Sequence, residues 1–153
     1  MKVLVIEDDD DKAGDLIEFI KAKYVVDDVL VARSLQSGLR AVMQGEFQLT
    51  LLDMTMRNFD RSLEEDGGRP HHFAGREILR QMKREEVHIP VIIVTHFERF
   101  GEESEEVTLT DLKDELQARF PDYLGTVHYR SNVDEWKAKL VELIDGLLPE
   151  RGE

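Results

Sequence analysis

Val3-Leu4-Val5-Ile6-Glu7-Asp8-Asp9-Asp10-Asp11 joins a short, unbroken apolar run to a run of acids. Four consecutive apolar residues rich in β-branching fit a strand buried on both faces. Ala13, Leu16, Ile17 and Ile20 follow at helical spacing, with Tyr24 one turn further on, so a helix packs back on that strand. The same unit recurs down the chain. Val29 to Ala32 reads as a second strand, and Ser34 as the N-cap of a helix whose inner face is Leu35, Leu39, Val42 and Met43, ended by Gly45. Phe47 to Leu52 forms a third strand that closes on Asp53, after which Gly75 leads into a helix with Ile78, Leu79 and Met82 inside. Pro90 opens the fourth strand, Val91 to Val94, ending at Thr95; Leu109, Leu112, Leu116 and Phe120 mark a helix stopped at Pro121. Thr126 to Tyr129 is the fifth strand, less apolar and so placed at a sheet edge. Asn132 with Glu135 resembles a capping box for a last helix carrying Trp136, Leu140, Leu143, Ile144 and Leu147.

Strict alternation of strand and helix predicts an α/β fold, a five-stranded parallel sheet with helices on both faces. The first strand is followed by no glycine fingerprint, which favours the flavodoxin-like order 2-1-3-4-5 over a dinucleotide fold. A length of 153 residues and 41% hydrophobic content suit one domain with a real core. The net charge of −13 disfavours unaided nucleic-acid binding. The lack of cysteine excludes disulfides and thiolate metal sites and fits a reducing, cytoplasmic setting. Nothing resembles a signal peptide or a membrane span.

In this strand order the first and third strands are neighbours, so Glu7, Asp8 and Asp53 converge at the carboxyl edge of the sheet. Three carboxylates held together need a counter-charge, and a hard divalent cation such as Mg²⁺ suits oxygen ligands. An aspartate beside Mg²⁺ can act as a nucleophile towards phosphorus. Thr95 adds a hydroxyl and Arg130 a cation at neighbouring strand ends. Asp9, Asp10 and Asp11 read as solvated loop acids, with Asp10 or Asp11 capping the first helix.

The pattern resembles the receiver domains of two-component response regulators. VLVIEDD is similar to their first strand and acidic pair, and FQLTLLDMTM to their third strand, phosphoacceptor and following loop. The resemblance implies that Asp53 accepts the phosphoryl group and that Glu7, Asp8, Asp53 and the backbone carbonyl of Thr55 hold Mg²⁺. It also makes Thr95 the switch hydroxyl. HYRSNVDEW resembles the segment where the family carries lysine followed by proline; here Arg130 and Ser131 stand in those places. Arginine is a longer, planar fork and no simple substitute for lysine. The family's switch aromatic falls on Val127, with Tyr129 nearer, and His96 stands where a small residue is usual and should narrow access to Asp53.

The expectation is thus a single receiver domain over 1–153 with enlarged loops at about 57–74 and 97–110. Arg57 replaces the proline usual after the phosphoacceptor. The adjacent His71 and His72 lack a structural-zinc spacing, and Glu102, Glu103, Glu105 and Glu106 read as a solvated loop. Function would be a phosphorylation switch rather than turnover of an external substrate. The donor would be a histidine kinase or phosphotransfer protein, and the output contact with a protein target or a homodimer, since no output domain fits after Glu150. The alternatives are a receiver-like interaction module that works without phosphorylation and a phosphatase-like hydrolase. The hydrolase wants a second aspartate where Thr55 stands.

Overall fold

The computed structural model describes residues 1–60, 70–97, 99–100, 107–131 and 133–147. Five parallel strands, β1 (Lys2–Ile6), β2 (Asp28–Ala32), β3 (Leu49–Leu52), β4 (Val91–Thr95) and β5 (Tyr123–His128), form one sheet in the order β2-β1-β3-β4-β5. Five helices alternate with them: α1 (Asp10–Lys23), α2 (Leu35–Gln44), α3 (Ala74–Arg84), α4 (Leu109–Arg119) and α5 (Glu135–Leu147). The sheet order and the βα alternation are those the sequence predicts.

The period of two along each strand divides the core. Leu4, Ile6, Leu52, Val91 and Ile93 pack with α2, α3 and α4 through Val42, Ile78, Met82, Leu112 and Leu116. Val3, Val5, Leu51, Ile92 and Val94 face the other way and meet Leu16, Ile20, Trp136, Leu140 and Ile144 of α1 and α5. The three inner strands are therefore apolar on both faces, which explains their unbroken runs.

Four boundaries or orientations differ from expectation. β5 starts at Tyr123 rather than Thr126 and pairs with β4 through Tyr123 and Gly125, with a register shift between Val91 and Ile92. A glycine in this stretch weakens the strand signal. β3 starts at Leu49, two residues after Phe47. The cap of α1 is Asp9, whose Oδ1 accepts from the backbone N–H groups of Asp11 and Lys12 at 3.0 and 3.3 Å. Met43 is 40% exposed, because Gly38 and Ala41 occupy the inner face of α2 and let it approach β1 closely. Ser34 and Gly45 cap α2 as predicted, the latter at φ +68°. Asn132 lies outside the described residues.

Both enlarged loops lie in part outside the described residues. Their described portions include two short antiparallel ladders, Met56–Arg57 with Pro70–His71 and Arg99–Phe100 with Val107–Thr108. The acids at 102–106 also fall outside them. No helix among the described residues is long and apolar enough to cross a membrane.

Candidate functional site

Glu7 follows β1, Asp53 follows β3 and Thr95 ends β4, so adjacent parallel strands deliver all three to one edge. The Asp53 backbone N–H donates to the Ile6 carbonyl at 3.0 Å, tying the end of β3 to that of β1. Gly75 holds the next segment in place. Its N–H donates to the Met54 carbonyl at 3.0 Å, and a Cβ there would lie 2.7 Å from the Asp53 carbonyl oxygen. Any side chain at this position would push α3 away from the strand end.

Glu7, Asp8 and Asp53 each place a carboxylate oxygen so that the three atoms lie within 4.8 Å of one another. Glu7 and Asp53 are buried and Asp8 is half-buried. Burial, followed by the charge of Asp53, pushes the Glu7 carboxyl up to about 8, against the opposing pull of Lys12. Burial also raises Asp53, again opposed mainly by Lys12. One oxygen of Glu7 accepts from the Asp9 N–H at 3.2 Å; the other, Oε1, is buried and ion-pairs Lys12 Nζ at 2.6 Å. An all-oxygen set of three carboxyl groups gathered this closely fits a hard cation such as Mg²⁺.

The buried counter-charge is Lys12, which the sequence reading passed over. Its side chain is 1% exposed, with Nζ 2.6 Å from Glu7 Oε1 and 3.3 Å from Asp53 Oδ1. Nζ also donates to the Val94 carbonyl at 2.7 Å and lies 5.8 Å from the centroid of the Tyr129 ring. A signal existed: Lys12, Leu16 and Ile20 recur every fourth residue, so the lysine sits on the apolar stripe of α1. A cation in a first helical turn also opposes the helix dipole, which makes the position informative.

Thr95 is buried; its Oγ1 accepts from the Phe97 N–H at 3.2 Å, and its carbonyl from the Tyr129 N–H at 2.8 Å. The Thr55 hydroxyl donates to the His72 carbonyl at 3.0 Å, fixing the loop after Asp53. Arg130 is exposed. It lines a cleft of ≈ 460 Å³ with Asp9, Asp11, Lys12, Asp15, His96, Tyr129 and Ser131. His96 is also exposed and stacks on Phe97 at 4.2 Å between ring centroids, so it borders the cleft rather than filling it. Val127 is buried and carries no hydroxyl, while Tyr129 turns towards α1 and donates to Asp15 Oδ2 at 2.5 Å. The His71 ring is committed to the loop, its Nδ1 accepting from the Phe73 N–H at 3.1 Å.

No family model matches the chain. The Sinorhizobium fredii protein y4jR is 35% identical over 143 residues, spanning 92% of this chain and 94% of that protein. The Detocs response regulatory protein DtcB of Enterobacter cloacae is 29% identical over 150 residues, spanning 96% of this chain and 100% of that protein. Among solved structures, the Francisella response regulator 1452 receiver domain superposes with a TM-score of 0.60 at 20% identity, covering 99% of this chain and 98% of that one. Thermotoga maritima TrrA, a response regulator solved in complex with Mg²⁺-BeF, gives 0.58 at 16% identity over 93% and 97% of the two chains. Sheet order and relatives agree: the chain belongs to one family with the Sinorhizobium protein and has the fold of response-regulator receiver domains.

Proposed function

We propose that the protein is a phosphorylation switch in which Asp53 takes a phosphoryl group from a histidine kinase or phosphotransfer protein and the result is read by protein contact. The observation that carries this reading is the meeting of Glu7, Asp8 and Asp53 within 4.8 Å at the carboxyl edge of the sheet. The relative described as a response regulatory protein points the same way.

An Asp53 carboxylate oxygen would form a bond to phosphorus as the P–N bond to the donor imidazole breaks. The electron pair of that bond stays with the nitrogen, which then takes a proton. Glu7, Asp8, Asp53 and the Thr55 carbonyl are the residues that would hold Mg²⁺. When bound, the ion offsets charge on the transferring group. Thr95 supplies a hydroxyl to a phosphoryl oxygen, and Arg130 offers a cation at the mouth of the cleft. The region 1–153 then acts as one receiver domain whose enlarged loops, at about 57–74 and 97–110, leave the sheet on the side of the site. A protein target or a second copy of the chain receives the signal, with no direct contact to nucleic acid or a membrane.

A specific observation favours a second reading, a module that works unphosphorylated. Lys12 already ion-pairs Asp53. Intact mass measurement separates the two. Incubation with Mg²⁺ and a small phosphodonor should add one phosphoryl mass to the wild type and none to Asp53→Ala. An adduct that persists in Asp53→Ala would place the acceptor elsewhere. A wild type that neither binds Mg²⁺ nor gains mass would transfer the assignment to the unphosphorylated module.

A further inference from the structure

Among the described residues Lys12 is the only buried basic side chain. It comes from the first turn of α1, not from the end of β5, where the sequence places Arg130. The β5 side of the site is otherwise engaged. Tyr129 is held to α1 by Asp15, Val127 has no polar group, and Arg130 sits exposed on the cleft wall. We propose that Lys12 is the principal phosphoryl-binding cation of this receiver, and that α1 is thereby the helix that reads the state of Asp53. The inference rests on Asp53 being the phosphoacceptor.

The argument is one of distance and charge. Nζ already lies 3.3 Å from Asp53 Oδ1, so a group added to that carboxylate arrives beside it. An ammonium has three donors and no acceptor. Here it faces two carboxylates and one neutral carbonyl, that of Val94. A phosphoryl group brings further negative charge and strong acceptor oxygens. The neutral Val94 carbonyl is the weakest competitor for Nζ and gives way first. That carbonyl belongs to strand β4, just before Thr95 and His96, and Lys12 belongs to the capped first turn of α1. Transfer of one hydrogen bond from Val94 to the phosphoryl oxygen thus changes both elements. Tyr129 and Trp136 are in line to report it, with Nζ lying over the Tyr129 ring and that ring tilted against Trp136 at 5.2 Å between centroids.

Beryllofluoride with Mg²⁺ serves as the probe on the full chain, followed by Trp136 fluorescence. Wild type and Lys21→Met, which removes an exposed lysine elsewhere on α1, should respond alike. Lys12→Met should still bind Mg²⁺ but require on the order of a hundredfold more beryllofluoride, as expected for loss of one buried donor to a developing anion. Arg130→Ala should lose less than Lys12→Met. A Lys12→Met response within about threefold of wild type, or a larger loss in Arg130→Ala, overturns the proposal. Should Lys12→Met fail to fold, the wild type decides by ¹⁵N-lysine and ¹⁹F NMR. Cross-relaxation between the bound fluorides and Lys12 Nζ protons is expected, and its absence from the bound complex overturns the proposal. A wild type that ignores both beryllofluoride and phosphodonor sinks the phosphoacceptor reading itself, and this inference with it. A wild type that responds without involving Lys12 sinks this inference alone.

Discussion

Lys12 carries one positive charge into a site that holds two buried carboxylates, so the buried charges cannot all be ionised and also balance. The site favours keeping a proton: burial and then the charge of Asp53 raise Glu7 to about 8, and burial raises Asp53 as well. The two titrate as a pair. Their folded values lie above the unfolded ones, so the folded state binds more protons over the interval between. Stability without metal should therefore fall as pH rises from about 4.5 towards about 8, by about 1.4 kcal/mol per pH unit for each extra proton the folded state binds. Urea midpoints in EDTA at several pH values would show it, and a flat or rising profile through that window would contradict it. Bound Mg²⁺ should flatten the profile, because the metal takes the place of the proton. At this scale the sequence showed the acids but not their partner. Glu7, Asp8 and Asp53 announce themselves at strand ends, whereas Lys12 follows Asp9, Asp10 and Asp11 and reads as a solvated helix start. Only its spacing from Leu16 and Ile20 gives it away.

The loop after Asp53 is held by α2 as well as by α3. Ser34 caps α2 by accepting from the Ser37 N–H at 3.1 Å, and the Ser37 hydroxyl donates to Asp60 Oδ1 at 2.8 Å. Hydrogen bonding, with Ser34 first, holds the Asp60 carboxyl below its ordinary value. The Gln36 N–H donates to the Asn58 carbonyl at 2.9 Å, so a second bond joins the same two segments. Ser34→Ala should cost about 1 kcal/mol of stability, a typical loss for a buried cap. It should also speed amide exchange over 57–60, since the cap and the loop share the Ser37 hydroxyl. Exchange that quickens in α2 alone would show that the loop does not depend on the cap. The caps of α2 were legible in the sequence because one residue type decides each, Ser34 at its start and Gly45 at its end; the cap of α1 was not, since Asp9, Asp10 and Asp11 offer the same chemistry. The start of β5 was not, because Gly125 weakens the local pattern and only pairing with β4 makes Tyr123 to Gly125 a strand. Met43 was misplaced for a similar reason. Small residues at Gly38 and Ala41 rotate α2 towards β1, and Gly38 would bring a Cβ within 2.8 Å of Ile6.

Across the whole molecule, a sheet with a core on each face leaves the carboxyl edge as the place where its parallel strands present their ends, and there the acids gather. The chain also carries a net charge of −13, so any cation will stabilise it somewhat by screening self-repulsion. Specific binding must therefore be separated from that background. Mg²⁺ should raise the urea midpoint beyond the effect of NaCl at the same ionic strength. A free concentration about a hundred times the dissociation constant should add about 2.7 kcal/mol, because a ligand that binds only the folded state stabilises it in proportion to the logarithm of one plus its concentration over the dissociation constant. Asp8→Ala removes one half-buried ligand while leaving Glu7, Asp53 and Lys12 in place. In that variant the magnesium and sodium curves should nearly coincide. Equal effects of the two salts on the wild type would mean that the edge holds its acids against Lys12 and a proton alone. Phosphoryl transfer to Asp53 would then lack the ion that offsets its charge.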